Sequence, residues 1–393
     1  MKLDFQLKEG QQDSSLSTVR AEVVEGLNTL FRVKLELSCK TSTLDPKDYL
    51  GKKAQFSVLD NPAGSPLAGW LGVISEFSLV EAPWKSEKYF IYRVVIRPSL
   101  WKLAYNFKSR VLENQSRPDA IKQALKDGNI TGFQIEPLNT SGAFPQLEQI
   151  VQFNETDLDF IVRTLRLCGL NFFYLPVCQE FDFSSVTDPS DYLRITDQTP
   201  SLKEQSDPIK LTYNREAGMV SNKPYVDYVG WDSRAVPESV SVQTHKVADA
   251  YQKYTPTNQK RKVDGGVFGE VNMVQNTAAR KQNGKSWSPQ DFADKVTIIR
   301  AAEMASWLKS GNGTSNDIRV RPCVKVTLDP DPLTGNSNSG QTTYLISRAE
   351  HLWQIGHRSE GDADYENTFS ITMLDKDTVL HPPFITPWQP RLS

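Results

Sequence analysis

The chain has 393 residues with 45 basic and 47 acidic side chains, a net charge of −2. That near-balance gives no reason to invoke nucleic acid or an anionic membrane as partner. A hydrophobic fraction of 38% with eight tryptophans is enough for real cores and excludes global disorder. At a soft prior of roughly 150 residues per domain, the length predicts roughly two to four domains.

No apolar run approaches the roughly 20 residues a spanning helix needs, so no stable membrane insertion is expected. Met1-Lys-Leu-Asp-Phe5 alternates like a strand and lacks the apolar core and cleavage site of a signal peptide. Cys39, Cys168, Cys178 and Cys323 are scattered and form no CxxC pair, which predicts small buried thiols in a reduced, cytoplasmic protein.

Residues 1–100 read as a first β-barrel. Phe31-Arg-Val-Lys-Leu-Glu-Leu37 alternates as a strand with one buried face does. Gln55–Asp60, the turn-rich stretch from Asn61 to Pro66, Gly69–Ser75 and a return strand from Tyr89 to Pro98 follow at barrel-like spacing. Residues 101–190 change period and predict an α+β insert. Ser116 caps a helix with Pro118 in its first turn and Asp127-Gly128 at its end. Next, Gln149–Phe173 reads as strand, helix, strand. Asn154 caps the helix, Leu158, Ile161, Val162 and Leu165 form its apolar stripe, and Gly169 ends it.

Residues 191–245 and 315–380 predict a second β-barrel, with strands at Ile209–Tyr213, Pro224–Val229, Arg319–Leu328, Thr343–Ser347 and Glu366–Met373. Between them, 246–314 reads as an extended excursion carrying one helix over 289–310. The last stretch, 381–393, reads as a linker. An internal repeat links the two β-rich ends. Phe56–Asp60 with Pro62, then Leu71–Ser75, then a strand from Tyr89 matches Val326–Asp329 with Pro330, then Tyr344–Ser347, then a strand from Tyr365. The fold class is therefore mainly β with α+β insertions: two similar β-barrel domains plus small helical and α+β units.

No constellation of side chains makes a convincing catalytic, cofactor or metal site. His351 and His357 are too far apart in sequence for a helix-borne zinc pair, and Glu350, Glu360 and Asp362 around them read as a polar loop. Asp329-Pro-Asp331 resembles a calcium loop only in being acidic, and a solvated hairpin turn is expected there. Gly265-Gly-Val-Phe-Gly269 follows no apolar strand, so it is weak as a phosphate cradle. Asp157 and Asp159 face different directions on their helix, and capping and solvation explain them better than acid–base chemistry. No GxSxG stretch or activated cysteine is present. A non-enzyme is expected.

The stretch Gln152-Phe-Asn-Glu155-Thr-Asp157-Leu-Asp-Phe160, Arg163, Leu165 and Gly169-Leu-Asn-Phe172-Phe173 closely resembles the corresponding segment of VgrG proteins, the spike-tip components of type VI secretion systems. It is also similar to the hub proteins of contractile phage baseplates. Further blocks keep the family order: Tyr92–Leu103, Ser109–Asp119, Tyr344–Ser347 with His351, Tyr365–Phe369, and His381-Pro-Pro383 with Pro387 and Pro390. Residues 246–287 match the family poorly.

What the resemblance implies is a phage baseplate hub-like fold with tube-type barrels. It implies a homotrimer whose six barrels dock on a hexameric tube protein of the Hcp kind, with a C-terminal or separate spike, baseplate proteins and effectors as further partners. Such a hub would be assembled in the cytoplasm and exported by the contractile machine. Exposed edges such as the strand at Phe31–Leu37 would be covered by neighbouring subunits. The chain stops where the family's next barrel would begin, and truncation is favoured over a separate spike because 381–393 resembles a linker. The alternatives are a phage-derived injection hub, a carbohydrate-active or cell-wall enzyme, and a monomeric binding module.

Overall fold

The computed structural model describes residues 1–10, 16–40, 44–60, 66–81, 89–136, 144, 146–178, 191–197, 205, 207–214, 224–245, 260–276, 289–308, 310–334, 342–355 and 363–374. The linker read at 381–393, the loop residues His357, Glu360 and Asp362, and all of 246–259 and 277–288 lie outside them.

Six strands open the chain: β1 (Lys2–Leu7), β2 (Ser17–Gly26), β3 (Arg32–Cys39), β4 (Lys53–Leu59), β5 (Pro66–Glu81) and β6 (Phe90–Arg97). They lie side by side in the order β1-β4-β5-β6-β3-β2. Alternation drives this arrangement. Val33, Leu35 and Leu37 of β3 point to one face with Phe56, Trp70, Val94 and Ile96, and all are buried there.

The insert follows, with β7 (Phe107–Gln115), α1 (Arg117–Asp127), β8 (Phe133–Ile135), β9 (Leu147–Thr156), α2 (Asp157–Cys168), β10 (Asn171–Tyr174), β11 (Val177–Cys178) and β12 (Leu193–Thr196). The helices meet in a core of Ile121, Leu125, Phe160, Ile161 and Leu165, covered by Phe172 and Leu193 of the small β10-β12-β8 sheet. Ser116 caps α1, and Gly169 ends α2 in the left-handed region at φ +65°. The cap of α2 is Thr156, not Asn154. Its hydroxyl accepts from the Asp159 N–H at 3.0 Å and donates to the Asp159 carboxylate at 2.6 Å. Asn154 sits at φ +49° inside β9, which runs three residues past Phe153, where the apolar pattern ends.

The remaining elements are β13 (Ile209–Thr212), β14 (Val226–Asp232), β15 (Ser239–His245), β16 (Arg261–Lys262), β17 (Glu270–Asn276), α3 (Pro289–Ala305), β18 (Ser310–Ser315), β19 (Lys325–Asp329), β20 (Tyr344–Ile355) and β21 (Ala363–Met373). Six of them lie in the order β13-β19-β20-β21-β18-β14, and β2 pairs with β20, so one curled half-barrel sheet runs through both halves of the chain.

Several expectations shift. β3 is flanked by β6 and β2 and is not an edge. β12 joins the insert sheet, and β15 joins β16 and β17 in a separate sheet, because Val240 and Val242 bury against Ala293 and Val296 of α3. Part of the excursion is thus ordered around α3. That helix stops at Ala305, and a tight turn at Ser306–Leu308 precedes β18, since the stretch from Ser310 is drawn between β14 and β21.

The repeat extends further than the sequence suggested. Strands β1 to β6 correspond in chain order and in sheet position to β13, β14, β18, β19, β20 and β21. Bulges recur at matching places: Ser75 in β5 and Ser347 in β20 are each skipped by the partner strand, and their hydroxyls donate to the carbonyls of Val95 at 3.1 Å and Ser370 at 3.2 Å. A second pair falls between Thr18 and Arg20 and between Val226 and Tyr228. The turns before β4 and β19 also match. Asp45 accepts from the Lys47 N–H at 2.9 Å as Asp317 does from Arg319 at 2.9 Å. Gly51 at φ +76° and Cys323 at φ +68° each donate to an isoleucine carbonyl, of Ile74 and Ile346, at 2.9 Å. Two differences remain. β1 runs antiparallel to β4 while β13 runs parallel to β19, and Asp329 corresponds to Ser57, not Asp60, because Lys53 and Lys325 take the same register position.

Candidate functional site

Where β2 meets β20 the two halves share a buried polar cluster. Glu25 sits near the end of β2 with only 7% of its surface exposed. Trp70 of β5 donates its indole N–H to Glu25 Oε2 at 2.8 Å, and Arg321, from the turn before β19, donates Nη2 to the same oxygen at 2.8 Å. The Arg321 Nε–H binds Glu25 Oε1, which also lies 3.2 Å from His351 Nε2 on β20. The guanidinium stacks 4.4 Å over the Trp70 ring. Burial alone would raise the Glu25 carboxyl, but Arg321 and His351 overcome it and hold it at about 2.

An ionised Glu25 only accepts, so His351 Nε2 carries the proton. Nδ1 then accepts from the Tyr365 hydroxyl at 2.8 Å, and Asn367 Nδ2 donates to that hydroxyl at 2.9 Å. Burial lowers the His351 pKa, consistent with a neutral ring. Asn367 also donates to the Asp317 carbonyl at 2.9 Å, tying β21 to the turn that presents Arg321. Trp353 stacks on Tyr365 at 4.8 Å and meets Trp70 edge-on at 5.8 Å. Every oxygen of Glu25 is engaged and the cluster is closed to solvent, so it fastens one half to the other and offers no group to a substrate.

Glu25, Trp70, Arg321 and His351 are far apart in sequence and only the β2–β20 pairing unites them. Sequence reasoning missed the first three. The one available signal was the matching spacing of Asp45-x-Lys47-x-Tyr49-x-Gly51-x-Lys53 and Asp317-x-Arg319-x-Arg321-x-Cys323-x-Lys325, which places Arg321 where the first half has Tyr49.

The other singled-out residues fall elsewhere. Among the described residues no group of three or more His, Cys, Asp or Glu is arranged to hold a metal ion. Asp331 accepts from Leu333 and Thr334 N–H groups and from the Tyr344 hydroxyl at 3.0 Å, a satisfied turn. Gly265–Gly269 is the turn between β16 and β17. A Cβ at Gly266 would stand 2.2 Å from the Pro237 carbonyl, so glycine lets two backbones touch there. Asp159 is a capping residue as read. Asp157 is not solvated: it is fully buried, with Lys108 at 2.7 Å, Gln152 at 3.0 Å and Arg110 at 3.3 Å, and it ties α2 to the β7–β9 ribbon. Cys39, Cys168 and Cys323 are buried, and burial pushes the Cys168 thiol up to about 11, the reverse of an activated nucleophile. An open pocket beside the junction, lined by Leu27, Trp307, Asn312 and Arg348, has one carboxylate in its lining, Asp232.

The profile of the phage tail baseplate hub (GPD) family matches residues 24–356. The type VI secretion spike protein VgrG1c of Pseudomonas aeruginosa is 31% identical over 159 residues, 40% of this chain and 21% of that protein. VgrG3 of Vibrio cholerae is 27% identical over 218 residues, 56% of this chain and 19% of its own length. The chain thus spans about a fifth of these curated relatives.

Among solved structures, the E. coli c3393 protein, described as a type VI secretion component similar to bacteriophage T4 tail proteins gp27 and gp5, superposes with a TM-score of 0.63 at 16% identity, covering 98% of this chain and 80% of that one. The tail protein of Neisseria meningitidis MC58 gives 0.60 at 11% identity, covering 97% and 98%. The 43 kDa tail protein of prophage MuSo2 from Shewanella oneidensis gives 0.57 at 13%, covering 95% and 98%. The family match takes in most of both halves of the repeat, the insert between them and Glu25, Trp70, Arg321 and His351 of the junction: the chain belongs to the phage tail baseplate hub family.

Proposed function

We propose that this chain is the structural hub of a contractile injection machine of the type VI secretion kind. In this role it adapts a sixfold tube to a threefold puncturing spike. The observation that carries the reading is the repeat. Two like half-barrels per chain, with matching bulges and turns, are what a homotrimer needs to present six similar surfaces to a hexameric tube protein. The kinship with VgrG spike proteins supports the secretion machine as the setting. Baseplate proteins and effectors are its further partners, and export by the machine is its fate. It acts without catalysis, by holding register between tube and spike.

The test is direct. Light scattering should give three times the chain mass, and electron microscopy of the chain mixed with a hexameric ring of the tube protein should show stacked rings. A chain that stays monomeric at high concentration and never associates with the ring refutes the reading.

A second reading has its own support. The tail proteins of Neisseria meningitidis and Shewanella oneidensis share the fold over 97% and 95% of this chain. A phage-derived particle hub is therefore the rival. Deleting the gene in its source bacterium separates the two, since loss of tube-protein secretion supports the secretion machine and loss of tail-like particles supports the rival.

A further inference from the structure

The small sheet of the insert ends in an open edge. Its strand order is β10-β12-β8, and β8 pairs with β12 alone among the described residues. That pairing is parallel. The Gly132 carbonyl accepts from the Leu193 N–H at 2.9 Å, and the Glu136 N–H donates to the Ile195 carbonyl at 2.9 Å. Gly132, Gln134 and Glu136 therefore turn their backbones to β12, and the alternate residues Phe133 and Ile135 turn theirs outward. The Phe133 N–H is taken by the Thr131 carbonyl at 3.0 Å. The Phe133 carbonyl and both backbone polar groups of Ile135 are left on the open side, with no partner among the described residues.

A groove of about 490 Å³ opens beside this strand. Ile130, Phe133 and Ile135 form its apolar part, and they pack on the core of the insert. Lys122 and Lys126, one turn apart on α1, form its charged part. Both lysines are exposed, and neither has an ion pair among the described residues. The acids of the same helix are engaged elsewhere: Asp119 accepts from the Ser116 hydroxyl at 2.5 Å, and Asp127 pairs with Arg110 at 2.6 Å.

We infer that the outer edge of β8 takes an extended acidic peptide segment of a partner protein as a fourth strand. Its carboxylates lie against Lys122 and Lys126, and the apolar residues between them cover Phe133 and Ile135. Open peptide groups call for a peptide backbone, which adds to a sheet edge through main-chain hydrogen bonds while the flanking side chains select the sequence. Two lysines are too few for the run of phosphates on a nucleic acid. A second copy fits poorly, since β8 against β8 would bring four lysines together with no acid between them. The surface belongs to the insert and not to the repeat, so the inference goes beyond the hub reading and is tested apart from it.

The probe is a fluorescein-labelled peptide of alternating glutamate and valine, added to the full chain and followed by anisotropy. It should bind saturably and more weakly as salt is raised. Lys122→Glu with Lys126→Glu should weaken binding about tenfold and should let the lysine–valine version of the peptide bind instead. Both positions are exposed, so this variant should keep the wild-type thermal melt. The acidic peptide methylated on every backbone nitrogen should also lose about tenfold, because its charge remains while its strand donors are gone. Absence of saturable binding overturns the inference, as does binding that ignores the lysine reversal or survives methylation. Stronger self-association of the lysine-reversed variant by sedimentation, with no peptide binding, gives the edge to a second copy and overturns it equally. A wild-type chain that never forms trimers or ring complexes bears on the hub reading alone.

Discussion

At matching places in the two halves, β3 presents Val33, Leu35 and Leu37 to the core, whereas β18 presents Gly311, Gly313 and Ser315. The opposing strand compensates: Leu35 faces Val94, while Gly313 faces Phe369. A large-plus-medium pair has become a none-plus-large pair, and a Cβ at Gly313 would stand 2.5 Å from Phe369 Cζ. The joining corner differs in the same spirit. Arg321 crosses to Glu25, whereas Tyr49 in the matching turn stacks on Phe77 at 4.5 Å, and the counterpart of Glu25 is the exposed Ser233. Register and bulges persist while side chains are exchanged, because hydrogen-bonded pairing fixes the strand positions and packing needs only the summed volume.

The largest expected break of this comparison is at the corner. Glu25→Gln leaves Arg321 buried without its counter-charge and should cost about 3–5 kcal/mol in urea unfolding. Ser233→Ala in the monomer should stay within about 0.5 kcal/mol. Equal losses would mean that the cluster does not fasten the halves. Acid should act through the same residue. Glu25 has a folded pKa of about 2 against an ordinary 4.5, so its contribution is complete above about pH 4.5 and is lost as pH falls towards 2. His351, with its pKa lowered by burial, acts in the same direction, because unfolding lets it take up a proton as pH drops below 6.5. Acid titration of the unfolding midpoint should show this slope in the wild type, and Glu25→Gln should flatten it below pH 4.5.

Next comes the exchange of volume. Leu35→Ala should cost about 3 kcal/mol by opening a cavity. Gly313→Ala should cost about 2 kcal/mol by the opposite route, overpacking. Adding Phe369→Leu should recover part of the Gly313→Ala loss, although the Tyr228 carbonyl at 2.7 Å keeps the position tight. Thermal melts of the set check this, and failure of the second change to recover anything would contradict the paired-volume account. The smallest effect sharpens the likeness. Ser75→Ala and Ser347→Ala each remove one bulge hydrogen bond and should each cost about 1 kcal/mol, agreeing within about 0.5 kcal/mol.

Sequence legibility followed local chemistry. Ser116, Gly169 and the alternation of β3 could be read because caps, left-handed ends and one-faced strands are set by neighbours in the chain. β18 could not. Ser310-Gly-Asn-Gly-Thr-Ser315 has almost no strand preference of its own, and β14 and β21 impose its form from either side. The repeat could be glimpsed at Ser75 and Ser347, yet its full extent lay in bulges and turns that leave little trace in residue identity. The corner cluster was the least legible, since Glu25 and Arg321 carry meaning only once β2 and β20 are paired.

That pairing has a mechanical side. The rungs between β2 and β20 run from Arg20 to Gly26. A pull along the strands must shear all of those rungs together, whereas a pull across them would peel the rungs one by one. Glu25, held by Arg321, sits one rung from the Gly26 end of the ladder, one of the two ends at which peeling can begin. A tear starting from that end meets the buried ion pair almost at once.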